Sequence, residues 1–112
     1  MTRARDLANL GVSVGQGATQ WSVVSSNYSA LPSQGLFADS TNGPFTITLP
    51  TSPSTGDTIL VSDRSGKFSA NPVTISSGSE NINGKSGPLI LNIADASVVL
   101  VYTDSTIGWR LI

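Results

Sequence analysis

Residues 43–64, G-P-F-T-I-T-L-P-T-S-P-S-T-G-D-T-I-L-V-S-D-R, constrain the fold more than any other stretch. Phe45, Ile47 and Leu49 alternate with Thr46 and Thr48. Successive side chains of a strand point to opposite faces, so this alternation gives a half-buried strand one apolar and one hydroxyl face. Pro50 ends the strand, because proline has no N–H to give to a ladder. Residues 51–56 are turn material, and residues 57–62 form a second strand. Ile59 and Val61 lie on one face of that strand, with Thr58, Leu60 and Ser62 on the other.

The rest of the chain repeats this grammar of short strand, polar turn and short strand. Further strands are expected over residues 21–25, 36–39, 72–76, 88–93, 97–103 and 107–112. Asn42-Gly43 and Asn83-Gly84 supply the positive φ values of tight hairpin turns. Asp63 to Gly66 fits a type I hairpin loop, with Asp first and Gly last. Turn signals at such short spacing imply an all-β fold, an antiparallel β-sandwich or flattened barrel of about eight strands. The expected core comprises Val23, Phe45, Ile47, Leu49, Ile59, Val61, Val73, Ile75, Leu89, Leu91, Ile93, Val98, Leu100 and Trp109. Ile90, Val99 and Val101 fall on the opposite faces of their strands, to be covered by a second sheet or by another subunit.

Residues 2–10 are the one helix-like segment. Thr2 is placed to cap it, Ala4, Leu7, Ala8 and Leu10 share a face at helical spacing, and Gly11 is placed to end it. Nine residues are too few for a stable isolated helix, so the segment must lean on something. Residues 11–20 hold three glycines and no charge, which suits an extended connector. The chain therefore divides into an N-terminal arm and linker, residues 1–20, and a β body, residues 21–112. The arm either reaches a partner or folds back on its own sheet. As a partner anchor it would use Leu7 and Leu10 in an apolar groove and Arg3 and Arg5 against an acidic rim.

The composition narrows the chemistry. A chain of 112 residues is the size of one domain with a single core. It has no cysteine and no histidine, so thiolate metal sites, disulfides and the commonest general base are excluded. Charged residues make up 12% and the net charge is −1, which leaves no electrostatic footprint for nucleic acid. Serine and threonine number 29, so hydroxyls rather than charges dress the surface, as in a protein packed against copies or partners. No apolar run of leader or membrane-spanning length follows Arg3 and Arg5.

No cofactor is expected. The carboxylates Asp6, Asp39, Asp57, Asp63, Glu80, Asp95 and Asp104 fall mostly in turns or the arm, where Asp serves the local backbone rather than a paired-acid site. A serine nucleophile lacks a histidine, and neither Lys67 nor Lys85 follows a serine at the spacing a Ser–Lys pair uses. Gly11, Gly15 and Gly17 lack the strand-to-helix context of a phosphate loop. Trp21, Tyr28, Tyr102 and Trp109 are the candidates for stacking on sugar rings, against the alternative that they pack the core and its edges.

Two stretches carry a resemblance. The opening M-T-R-A-R-D-L-A-N-L resembles the start of many structural proteins of tailed phages, notably cyanobacterial and other marine phages. The body is similar to a small β module of phage tail-fibre and decoration proteins. The similar stretches are W-S-V-V-S-S-N-Y-S-A, then G-L-F-A-D-S-T-N-G-P-F-T-I-T-L-P-T-S-P-S-T-G-D-T-I-L-V-S-D, and A-S-V-V-L-V-Y-T-D-S-T-I-G-W-R-L-I. The resemblance implies a non-enzymatic virion component, a homotrimer assembled in the bacterial host cytoplasm. With no shaft of heptads or repeats, a capsid decoration (cement) protein or small tail adaptor is expected, bound to a major capsid protein or a tail protein. The alternative is a receptor- or glycan-binding module of a tail fibre. Self-association would use Ile90, Val99 and Val101.

Overall fold

The computed structural model describes residues 19–112. The expected helical arm and most of its linker, with Arg3, Arg5, Leu7 and Leu10, lie outside the described residues. Nine strands and no helix are found among those described: β1 (Gln20–Val24), β2 (Tyr28–Ser29), β3 (Gln34–Ala38), β4 (Phe45–Thr48), β5 (Thr58–Asp63), β6 (Val73–Ser76), β7 (Leu89–Leu91), β8 (Ser97–Asp104) and β9 (Gly108–Leu111). They form a five-stranded sheet, in the order β1-β3-β5-β8-β9, and a four-stranded sheet, in the order β2-β4-β6-β7.

Both sheets are mixed, which corrects the antiparallel expectation. From β1 to β6 the chain alternates between sheets, laying one strand in each per turn. As a result β1, β3 and β5 run parallel, and so do β2, β4 and β6. Only the last third folds back, with β7 antiparallel to β6, β8 to β5 and β9 to β8. Parallel neighbours need a crossover, and here a strand of the opposite sheet supplies it. Two of the expected hairpin turns are in fact such crossings. The Asn42-Gly43 turn, closed by the Gly43 N–H on the Ser40 carbonyl at 3.1 Å, takes the chain from β3 in one sheet to β4 in the other. The loop after Asp63 likewise leads from β5 to β6. Asn83-Gly84 does form a tight reversal: their φ values are 53° and 77°, and Ile82 and Lys85 exchange backbone bonds of 2.9 and 3.1 Å.

The inner faces of the two sheets meet in one core. Leu36, Ile59, Val61, Leu100 and Trp109 come from one sheet and Ile47, Val73 and Ile75 from the other. Two expected core residues are instead exposed. Val23 points outward and Val24 takes its place, a register of one on an edge strand. Ile93 lies past the end of β7, where the chain has left the sheet. Leu89 and Val98 are half-buried at the margin of the core.

One buried charge ties the loops together. Asp63, the last residue of β5, points inward on the same parity as Ile59 and Val61. Its carboxylate accepts N–H groups from Gly66 (2.9 Å), Lys67 (3.2 Å), Phe68 (3.1 Å) and Asp95 (2.9 Å). Burial works to raise its pKa, but these four backbone donors together outweigh burial and hold it below the usual carboxylate value. The bonds stitch the β5–β6 connection to the loop before β8 and seat Phe68, a loop residue, wholly inside the core.

Candidate docking face

Strand parity decides what the outside of each sheet presents. In the four-stranded sheet the inward set is Phe45, Ile47, Val73, Ile75 and Leu91, so Thr46, Thr48, Thr74 and Ser76 point outward. Ile90, paired with Thr74 across β6 and β7, is the large apolar residue on that face.

The five-stranded sheet differs. With Val24, Leu36, Ala38, Ile59, Val61 and Leu100 inside, its outer face carries Trp21, Val23, Phe37, Leu60, Val99 and Val101, together with Thr58, Ser62, Ser97 and Arg110. The register lines them up. Trp21 pairs with Gly35, Gly35 with Leu60, and Leu60 with Val99. The Ile112 N–H donates to the Val99 carbonyl at 3.0 Å, which extends the apolar row past β9. Trp21 is 48% exposed, Val23 58% and Phe37 38%, so the open part of the patch lies at the β1 edge.

Gly35 makes that edge possible. A Cβ at this position would lie 2.5 Å from Cδ2 and Cε3 of Trp21, so the indole rests on bare backbone. From there it stacks on Phe37, with ring centroids 4.7 Å apart and planes 25° from parallel. Two part-exposed aromatics thereby stack flat against the sheet, an arrangement that would lower the entropy cost of binding there.

The residues anticipated for function are distributed as follows. Val99 and Val101 belong to this face, whereas Ile90 lies on the outside of the other sheet, so the three do not form one patch. Of the four sugar-stacking candidates, Trp109 is wholly buried and meets Tyr102 edge-on at 5.5 Å. Tyr102 is buried and donates to Glu80 Oε1 at 2.9 Å. Burial first, then that hydrogen bond and the Glu80 and Asp104 charges, raise its pKa. Tyr28 is half-buried and exchanges hydrogen bonds with Gln34. Trp21 alone of the four is open to a ligand.

The carboxylates serve turns. Asp39 accepts the Thr41 hydroxyl at 2.7 Å and its N–H at 3.1 Å, Asp57 accepts the Ser54 N–H at 2.8 Å, and Asp104 accepts the N–H groups of Thr106 and Ile107. The Thr41 bonds, first the hydroxyl and then the N–H, lower the Asp39 pKa, with Ser65 and Arg64 adding to the effect. Among the described residues no three of His, Cys, Asp and Glu gather closely enough to hold a metal ion. Sequence reasoning set Val99 and Val101 opposite the core but did not join them to Trp21, Phe37 and Leu60, because it took Val23, of the same parity as Trp21, as a core residue and had no strand pairing to align the row. No protein-family model matches the chain, and no curated protein matches it.

Proposed function

We propose that this chain is a non-enzymatic structural protein of a tailed-phage virion, a capsid decoration protein or small tail adaptor. On this reading its β body docks on a capsid or tail protein through the outer face of the five-stranded sheet. The observation that carries the docking role is the aligned apolar row from Trp21 through Leu60 and Val99 to Ile112, on a body otherwise dressed in hydroxyls. Such a contiguous patch on a small protein marks an interaction surface. The virion setting rests on the resemblance of the N-terminal and body sequences to tailed-phage structural proteins. In that setting Arg3, Arg5, Leu7 and Leu10 supply a second anchor.

A glycan-binding module is the competing class, and the exposed indole of Trp21 speaks for it. Its neighbours favour docking. Val23, Phe37 and Leu60 are apolar and the outward hydroxyls of Ser62 and Ser97 bond to each other at 2.9 Å, whereas a sugar site needs free polar side chains converging on the ligand.

The test is co-sedimentation with phage particles that lack this protein. The double variant Trp21→Ser/Phe37→Ser should keep its fold and lose binding. Normal decoration by that variant would remove the outer face from the interface. Specific retention on a glycan surface, lost in the same variant, would favour the receptor reading.

A further inference from the structure

We infer that residues 2–10 of this same chain seat on the outer face of the five-stranded sheet when the protein is free. The inference concerns the isolated chain and does not depend on the virion reading.

Three observations lead to it. First, the inner face of this sheet is covered by the four-stranded sheet, but no described residue covers the outer face. Second, the most open apolar residues of that face, Trp21 and Val23, lie on β1, the strand into which residues 1–18 lead directly. Third, residues 2–10 carry the complementary surface. Ala4, Leu7, Ala8 and Leu10 fall on one side at helical spacing, in a segment too short to hold a helix without a support.

The dimensions permit the contact. Five strands at about 4.8 Å spacing span roughly 19 Å. A nine-residue helix is about 13 Å long. The connector of residues 11–18 reaches at most about 26–29 Å when extended. The segment can therefore lie across the row from Trp21 towards Val99 without leaving its own molecule. Its connector is free of charge, so crossing the apolar edge costs no ion desolvation.

Iodide quenching of tryptophan fluorescence tests the assignment on the full-length chain. The protein has two tryptophans, and Trp109 is wholly buried, so accessible quenching reports on Trp21. The unchanged chain should protect Trp21, to the same degree at all protein concentrations. The double variant Leu7→Asp/Leu10→Asp should lose that protection and shift the emission to the red, with the thermal transition of the body retained. A charge on the other side of the contact, Leu60→Asp, should produce the same loss. Equal quenching in the unchanged chain and the Leu7/Leu10 variant would overturn the inference. Protection that grows with protein concentration and survives in that variant would also overturn it, and would assign the face to a second copy of the chain.

Discussion

The two sheets obey the same inner pattern and differ on the outside. Inside, both place branched aliphatic residues at every second position, and the two sets interlock in one core. Outside, the four-stranded sheet presents Thr46, Thr48, Thr74 and Ser76, side chains that water satisfies. The five-stranded sheet adds to Ser62, Ser97 and Arg110 the apolar Trp21, Val23, Phe37, Leu60, Val99 and Val101, which water does not satisfy. The inner residues account for folding, and the contrast between the outer faces is what the proposed contact rests on. A solvated sheet needs one apolar face. A second apolar face on only one of the two sheets is the observation behind the proposed docking role.

The largest expected effect checks the parity on which the contrast stands. Ile47 faces the core and its neighbour Thr46 faces solvent. Ile47→Asp buries an unpaired carboxylate at a cost of several kcal/mol, against a total stability of about 5–15 kcal/mol, and should abolish folding. Thr46→Asp should fold with a change within about 0.5 kcal/mol. Circular dichroism melts of the two variants decide. A folded Ile47→Asp protein would exchange the inner and outer faces of β4 and remove the comparison.

Parity was legible in the sequence for β4, β5 and β6, but not for β3, where Leu36, Phe37 and Ala38 are adjacent apolar residues and the wholly buried Leu36 went unassigned. Phe45, Ile47, Ile59, Val61, Val73 and Ile75 alternate cleanly and are buried as expected. The pattern is ambiguous at the edge, where Val23 and Val24 are adjacent and only pairing with β3 chooses Val24. It also runs past its meaning at Ile93, which keeps the alternation of Leu89 and Leu91 after the strand has ended. Strand direction was not legible. A Gly-rich turn has the same composition whether it reverses the chain within a sheet or carries it to the opposite one, so Asn42-Gly43 and Asn83-Gly84 look alike and act differently. Asp63 and Phe68 were unreadable for a related reason. The first has the look of any turn-opening aspartate, and the second has no strand to lend it a period.

The next effect concerns the carboxylate that fixes the loops between the sheets. Asp63→Asn keeps the size of the side chain but gives a neutral group with one acceptor for four backbone donors. It should cost about 2–4 kcal/mol at neutral pH. The folded-state pKa of Asp63 is depressed, so its contribution is fully present above the unfolded value of about 3.9 and is lost as pH falls through the folded value. Thermal melts of the unchanged chain should therefore lose stability as pH drops below about 4. The Asn variant should show a shallower dependence over the same window. Parallel curves would mean that the carboxylate is not the group holding these loops.

A smaller change acts on the outer face alone. Gly35→Ala puts a methyl against the Trp21 indole and must push the ring off its seat. The loss should be limited to the Trp21–Phe37 stacking, about 0.5–1.5 kcal/mol, because Trp21 is free to swing outward. Trp109 is sealed in the core, so a change in emission belongs to Trp21. Unchanged emission and stability together would show that the indole does not rest on Gly35.

The smallest expected effect bears most directly on the contrast between the faces. Leu60 and Ile90 are apolar residues on the outer faces of different sheets, the first inside an aligned row and the second surrounded by threonine and serine. Leu60→Ser and Ile90→Ser should each change the stability of the body by less than about 1 kcal/mol, since neither outward side chain fills the core. Their effects on association should separate. Leu60→Ser interrupts the row between Trp21 and Val99, and it should weaken whatever the face binds, whether residues 2–10, a second copy or a particle. Ile90→Ser removes an isolated contact and should leave binding unchanged. Particle co-sedimentation and iodide quenching of Trp21 read the two variants side by side. Equal losses of binding would mean that both sheets dock and that the hydroxyl face is no less a contact surface than the apolar one. A loss confined to Ile90→Ser would transfer the docking role to the four-stranded sheet, where threonine hydroxyls rather than packed aromatics would have to supply the specificity.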